Sequence, residues 1–102
     1  MSLEDEFEAA CLEAIDACGK LSPPYHPTAW HRMISNHGAV EAARQLVVSG
    51  DIQTGFERLV RAGRPELTIE YAITDPYWRP LFGPQHREAA QWRLDQANVV
   101  RQ

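Results

Sequence analysis

Along most of the chain apolar residues recur at steps of three and four, the period of a helix with one buried face. Phe7, Ala10, Cys11, Ala14, Ile15 and Cys18 form the first such stripe and predict a helix over Leu3–Gly19. Ser2 stands where an N-cap belongs, Asp5 follows three residues on as in a capping box, and Gly19 closes the run. The next stretch, KLSPPYHPTAW, holds Pro23, Pro24 and Pro27. Prolines lack the amide donor and push their predecessors out of helical geometry, so extended chain is predicted there. Pro27 then suits the first turn of a short helix, Thr28–Asn36, with Trp30, Met33 and Ile34 inward and His37-Gly38 at its end.

Ala39, Val40, Ala42, Ala43, Leu46 and Val47 cover more than half the circumference of a third helix, Ala39–Ser49. So broad an apolar arc marks the most enclosed helix. A fourth, Ile52–Ala62, turns Ile52, Phe56, Leu59 and Val60 inward; Gly55 weakens it and marks a close crossing, and Gly63 stops it. Thr68 can cap a short fifth helix carrying Ile69, Ala72 and Ile73, and Asp75-Pro76 restarts the chain. Tyr77, Trp78, Leu81 and Phe82 follow as a largely aromatic cluster interrupted by Pro80. The last helix is predicted over Pro84–Val100, with Ala89, Ala90, Arg93, Leu94, Ala97 and Val100 on one face and Trp92 and Val99, seven residues apart, beside it. With no strand-like alternation, repeat or linker, the fold class is all-α: one domain, a compact bundle of five or six short helices around the helix at 39–49.

Length agrees, since 102 residues suit one core and not two. No apolar run approaches the ~18–20 residues of a membrane span, so no membrane partner is expected. The acidic start, MSLEDEFEA, fits neither a secretory nor an organellar leader, and a cytoplasmic location is expected. The net charge of −4 is unevenly placed: six acids against Lys20 lie before residue 22, and eight acids against nine arginines after it. An acidic helix start suits the helix dipole and also offers a face to a basic partner. The excess of arginine fits bidentate recognition of carboxylate or phosphate, and equally a GC-rich genome. Net negative charge makes nucleic acid the weaker partner, because neutralising phosphates dominates such affinity.

Little in the chain resembles catalytic equipment. His26, His31, His37 and His86 lack metal-ligand spacing, and neither a P-loop nor a nucleophile elbow is present. Cys11 and Cys18 lie ~10.5 Å apart along a helix, too far for a disulfide, on a face read as core, where thiolates are disfavoured. No catalytic residue, metal or cofactor is expected, and the chain reads as a non-enzyme. Two other groups invite a binding role. Arg61 and Arg64 precede the capping Thr68, whose helix start would expose amides to an anion; the alternative is a plain bend in which Glu66 and Glu70 pair with those arginines. Tyr77, Trp78, Arg79, Trp92 and Val99 are of the residue types that anchor interfaces and form the candidate partner surface.

YHPTAWHRMI, then GAVEAARQL, then GFERL and AGRPELTIE, then WRPLF, then Trp92-Arg93-Leu94 resembles a small helical domain of bacterial proteins of unassigned function. The resemblance covers about Tyr25–Leu94 and implies one structural unit; it carries no activity, cofactor or site residue. The expectation is a non-enzymatic protein–protein interaction or regulatory module, possible as a homodimer through Trp92 and Val99. Nucleic-acid binding through the arginines is the alternative, and a small enzyme stands behind it.

Overall fold

The first helix, α1 (Leu3–Gly19), begins where the sequence places it. Ser2 Oγ accepts from Asp5 N at 3.1 Å while Asp5 Oδ2 accepts from Ser2 N at 3.3 Å, which completes the capping box. The computed structural model describes residues 1–49 and 53–99, with the side chains of the second stretch from Gly55 onward. Helices α2 (Thr28–His37) and α3 (Ala39–Val48) are separated by Gly38 alone. Its φ of 85° and ψ of 160° lie in a region essentially restricted to glycine, which lets one residue reverse the chain. Gly38 has no side chain to cap α3. Glu8 of α1 does so instead, accepting from Ala39 N at 3.2 Å, and this cap ties the first helix to the third.

α3 is the central helix. Ala39, Ala42, Ala43, Leu46 and Val47 are all buried, and α1, α2, α5 (Ile69–Ile73) and α6 (Pro84–Gln96) pack around it. The alanines let neighbours approach closely. α4 (Gln53–Arg61) lies at the margin, packed chiefly on the 3-10 turn Pro65–Leu67, and a second 3-10 segment, Pro76–Leu81, carries the aromatic cluster across α1. Phe7 meets Trp78 and Phe82 edge-on, both at 5.3 Å between ring centres. No strand occurs among the described residues, so the fold is all-α. Ile52, expected inward on the fourth helix, falls outside the described residues.

The last helix is shorter than its apolar spacing predicts. It stops at Gln96 because Asn98 takes a left-handed conformation (φ 59°) and Val99 N turns back to Leu94 O at 2.9 Å. Trp92 and Val99 therefore do not share a helical stripe, and the expectation that they do is corrected.

A second correction concerns Glu70. The sequence places it beside Arg61 and Arg64, yet it lies on the inner side of α5 with Ile69 and Ile73, 1% exposed, and binds Arg93 of α6. Arg93 Nη1 donates to Glu70 Oε2 at 2.6 Å and to Leu46 O at 3.4 Å, and Nη2 donates to Ser49 O at 2.6 Å. One guanidinium thus neutralises a buried carboxylate and donates to two carbonyls at the end of α3, where Leu46 O also accepts from Ser49 N at 3.3 Å.

The apolar interior divides in two. The larger cluster gathers Phe7, Trp30, Leu46, Val47, Ile73 and Phe82 with their neighbours around α3. The smaller joins Cys18, Leu59 and Leu67, with Leu21 and Tyr25 against it, and seats α4.

Replacing Arg93 by Met strands Glu70 and takes a donor from the Leu46 and Ser49 carbonyls, and a loss of about 3–5 kcal/mol is expected in urea unfolding followed by circular dichroism. Glu70→Gln is expected to cost clearly less, because Arg93 keeps its carbonyl partners. Equal losses would mean that the carboxylate alone, not the carbonyls, requires Arg93.

Candidate functional site

The expected partner residues are not equally exposed once folded. Tyr77 is 57% exposed, and its hydroxyl donates to Glu6 Oε1 at 2.7 Å, a bond that together with the Glu6 charge pushes its pKa up. Trp78, one residue on, is half-buried against Phe7 and stacks edge-on with Tyr77 at 4.7 Å. Arg79 is exposed. On the far side of the sequence Trp92 stands 59% exposed on α6, and Val48 is equally exposed at the end of α3. Arg93 touches Leu46 and Ser49 and so joins α6 to the end of α3. Val48 was not singled out from sequence, where it reads as one more apolar residue of the third helix.

Of the anion-site residues, Arg61 and Arg64 stay together and Thr68 parts from them. Thr68 is 3% exposed; its hydroxyl accepts from Tyr71 N at 3.1 Å and donates to Pro65 O at 2.7 Å. It is an N-cap within the bend, and the helix it starts has five residues. Arg64 donates to Glu66 Oε2 at 2.6 Å. Burial alone raises the Glu66 pKa, but the bond and charge of Arg64 and a backbone hydrogen bond outweigh it and hold the carboxyl below its ordinary range. Arg61 is exposed, and with Arg58 and Arg64 it borders a shallow cleft over Leu21–Pro23, away from Thr68.

Several of the other arginines are turned to backbone. Arg44 reaches Leu81 O at 3.2 and 2.7 Å, Arg58 reaches Pro23 O at 3.1 Å and Pro24 O at 3.4 Å, and Arg87 bonds Phe82 O. Arg44 also lies 3.7 Å from Glu41. These guanidiniums hold irregular segments against helices.

Both thiols are free and buried. Burial, with the nearby Glu8 charge adding to it, pushes Cys11 up to about 12; burial also raises Cys18, partly opposed by Arg64. A raised pKa withholds the thiolate that a nucleophile needs. Among the described residues, no three His, Cys, Asp or Glu side chains converge as a metal site requires, and no helix is long and apolar enough to cross a membrane.

A recess with a largely apolar lining opens beneath α4. It encloses about 310 Å³ and is walled by Trp30, Leu46 and Ile69 on one side and Phe56, Leu59 and Leu67 on the other. Tyr25 closes one edge. Its ring crosses α4 at Gly55, where a Cβ would collide with the hydroxyl, and the Arg58 guanidinium sits 5.4 Å above the ring. The close crossing read from Gly55 is thus a contact with the proline segment. The recess itself left no periodic signal, because its walls come from four separate stretches of chain.

In class this is an all-α bundle, with a largely apolar recess and exposed apolar side chains that include Val48 and Trp92. No family model, curated protein or solved structure matches the chain.

Cys11 gives a pH dependence. Its folded pKa lies above the ordinary 9.0, so the native state keeps a proton that the unfolded chain sheds. Stability from this group is whole below about pH 9 and falls as pH rises toward 12, by about 1.4 kcal/mol per pH unit. Cys18, Tyr25 and Tyr77 are shifted in the same direction. Urea unfolding between pH 8 and 11 is expected to show Cys11→Ala with a shallower decline than the parent; parallel declines would assign the slope to other groups.

Proposed function

We propose that the chain is a non-enzymatic protein-binding module that works as a homodimer. The observation that carries this reading is Trp92, 59% exposed on α6. A large aromatic side chain on a rigid helix makes an efficient anchor, since little side-chain freedom is lost on binding. A two-fold axis beside this side chain would set each Trp92 against its counterpart's α6, the self-complementary arrangement of a symmetric dimer. The raised thiol pKa values support a non-catalytic reading. The engagement of Arg44, Arg58, Arg87 and Arg93 by carbonyls weighs against phosphate recognition, where those donors would be needed.

Sedimentation equilibrium from micromolar to millimolar protein tests the reading. Concentration-dependent dimer is expected, weakened about tenfold or more in Trp92→Ala, with folding stability unchanged within about 0.5 kcal/mol because the side chain is exposed. A monomer throughout the range would remove the homodimer. Binding to DNA or RNA that weakens steeply with salt would favour the nucleic-acid alternative instead.

A further inference from the structure

Few contacts hold α4 to the rest of the fold. Nine residues make too short a helix to persist alone, and Gly55 inside it lowers its own stability further. Tertiary contact is what keeps it helical. Among its described residues two side chains are buried, Phe56 and Leu59. Leu59 meets Cys18 and Leu67 in the smaller core, while Phe56 joins neither cluster. Between α4 and the larger core's Trp30, Leu46 and Ile69 opens the recess of about 310 Å³. The inner side of α4 therefore lacks much of the close packing that α3, α5 and α6 give one another.

The chain after α4 is fixed by other means. Gly63 ends the helix with φ 75°, and Arg64 N turns back to Leu59 O at 2.9 Å. Thr68 then caps α5, and Arg93 holds Glu70 to α6 and the end of α3. None of these later bonds uses an α4 side chain, so α4 can leave without breaking them. Proteins open in cooperative units, and the unit with the fewest buried contacts opens at the lowest cost. The two buried thiols fall on opposite sides of this division: Cys11 in the larger core, and Cys18 in the smaller, where Leu59 is the α4 side chain in its cluster.

We propose that α4 is a lid that opens as one unit, with Gly63 as a hinge, while the larger core stays folded, and that its opening uncovers Cys18 and Leu67. Arg58 on the Pro23 and Pro24 carbonyls and Tyr25 across Gly55 hold the lid shut. These ties bind α4 to the proline segment and not to α3, α5 or α6. The lid is independent of the dimer contact at Trp92.

Hydrogen exchange of the full ¹⁵N-labelled chain, over a series of urea concentrations below the unfolding transition, tests the lid. Relative to their intrinsic rates, the Leu59 and Val60 amides are expected to exchange about a hundredfold or more faster than those of Leu46 and Leu94. Their exchange is also expected to depend less on urea, because opening exposes less surface than unfolding. Iodoacetamide, followed by peptide mass spectrometry, is expected to alkylate Cys18 about tenfold or more faster than Cys11. Ile73→Val weakens the larger core, which the open form retains. It is expected to speed exchange at Leu46 and Leu94 about threefold or more and to leave Leu59 and Val60 unchanged. Matching rates and urea dependence across α3, α4 and α6 would overturn the proposal, as would equal acceleration of all four amides by Ile73→Val. Fast exchange in α4 with Cys18 alkylated no faster than Cys11 would mean fraying of the helix alone, and would overturn it too. If Ile73→Val fails to fold, exchange and alkylation in the parent chain decide.

Discussion

Everything central in this fold meets at the Arg93 guanidinium. It lies on α6, neutralises Glu70 on α5, and receives the carbonyls of Leu46 and Ser49 where α3 ends. A buried carboxylate is destabilising alone, and carbonyls at a helix end need donors. Joined through one forked cation they become mutually satisfying, and the geometry admits few alternatives. Exchanging an ion pair of this kind for well-packed apolar side chains is often neutral or favourable in energy. What Arg93 adds is register: α5 and α6 can pack on α3 only where its donors reach both the carboxylate and the carbonyls. The Glu8 cap on Ala39 does the same at the other end of α3, so both ends of the central helix are fixed by side chains of other helices.

α4 is attached by a different logic. It shares little of the main core and rests on Leu59, Leu67 and Cys18, with polar ties to the proline segment through Arg58. The proline segment is extended because it cannot be helical, and its carbonyls lack regular partners. Arg58 supplies donors, and the ring of Tyr25 covers the helix at the one position where no side chain stands in the way, Gly55. Anchoring α4 from its outer side and through a turn leaves its inner side short of the main core, and the recess follows from that. A bulkier residue at Leu59 or Leu67 would let the two cores merge.

The helices, their order and the central place of α3 were legible in the sequence, because helical period, caps and proline act locally. The capping box at Ser2, the cap at Thr68 and the stop at Gly63 all work over three or four residues. Where α6 ends was not legible: the apolar period continues to Val100, while Asn98, a residue that tolerates left-handed geometry, turns the chain two residues past Gln96. Glu70 was misassigned because proximity in sequence favoured Arg61 and Arg64. Arg93 had been placed on the inner face of the last helix by its spacing, yet nothing local names its partner 23 residues away. The recess lay beyond sequence reasoning altogether, being a relation between two cores.

The arginines explain why charge counting misleads here. Nine arginines against one lysine invites a search for anions outside the protein. Arg44, Arg58, Arg87 and Arg93 instead spend their donors on carbonyls at the ends of helices, 3-10 segments and the proline stretch. A chain with helices this short and connections this irregular has many carbonyls outside regular ladders, and each needs a donor or water. Arginine suits the task better than lysine, since its fixed fork reaches two acceptors at once and it is more weakly hydrated. On this account four of the nine arginines serve irregular backbone within the fold. A partner that bound these cations as phosphates do would have to take them from the backbone first, loosening the structure it was binding.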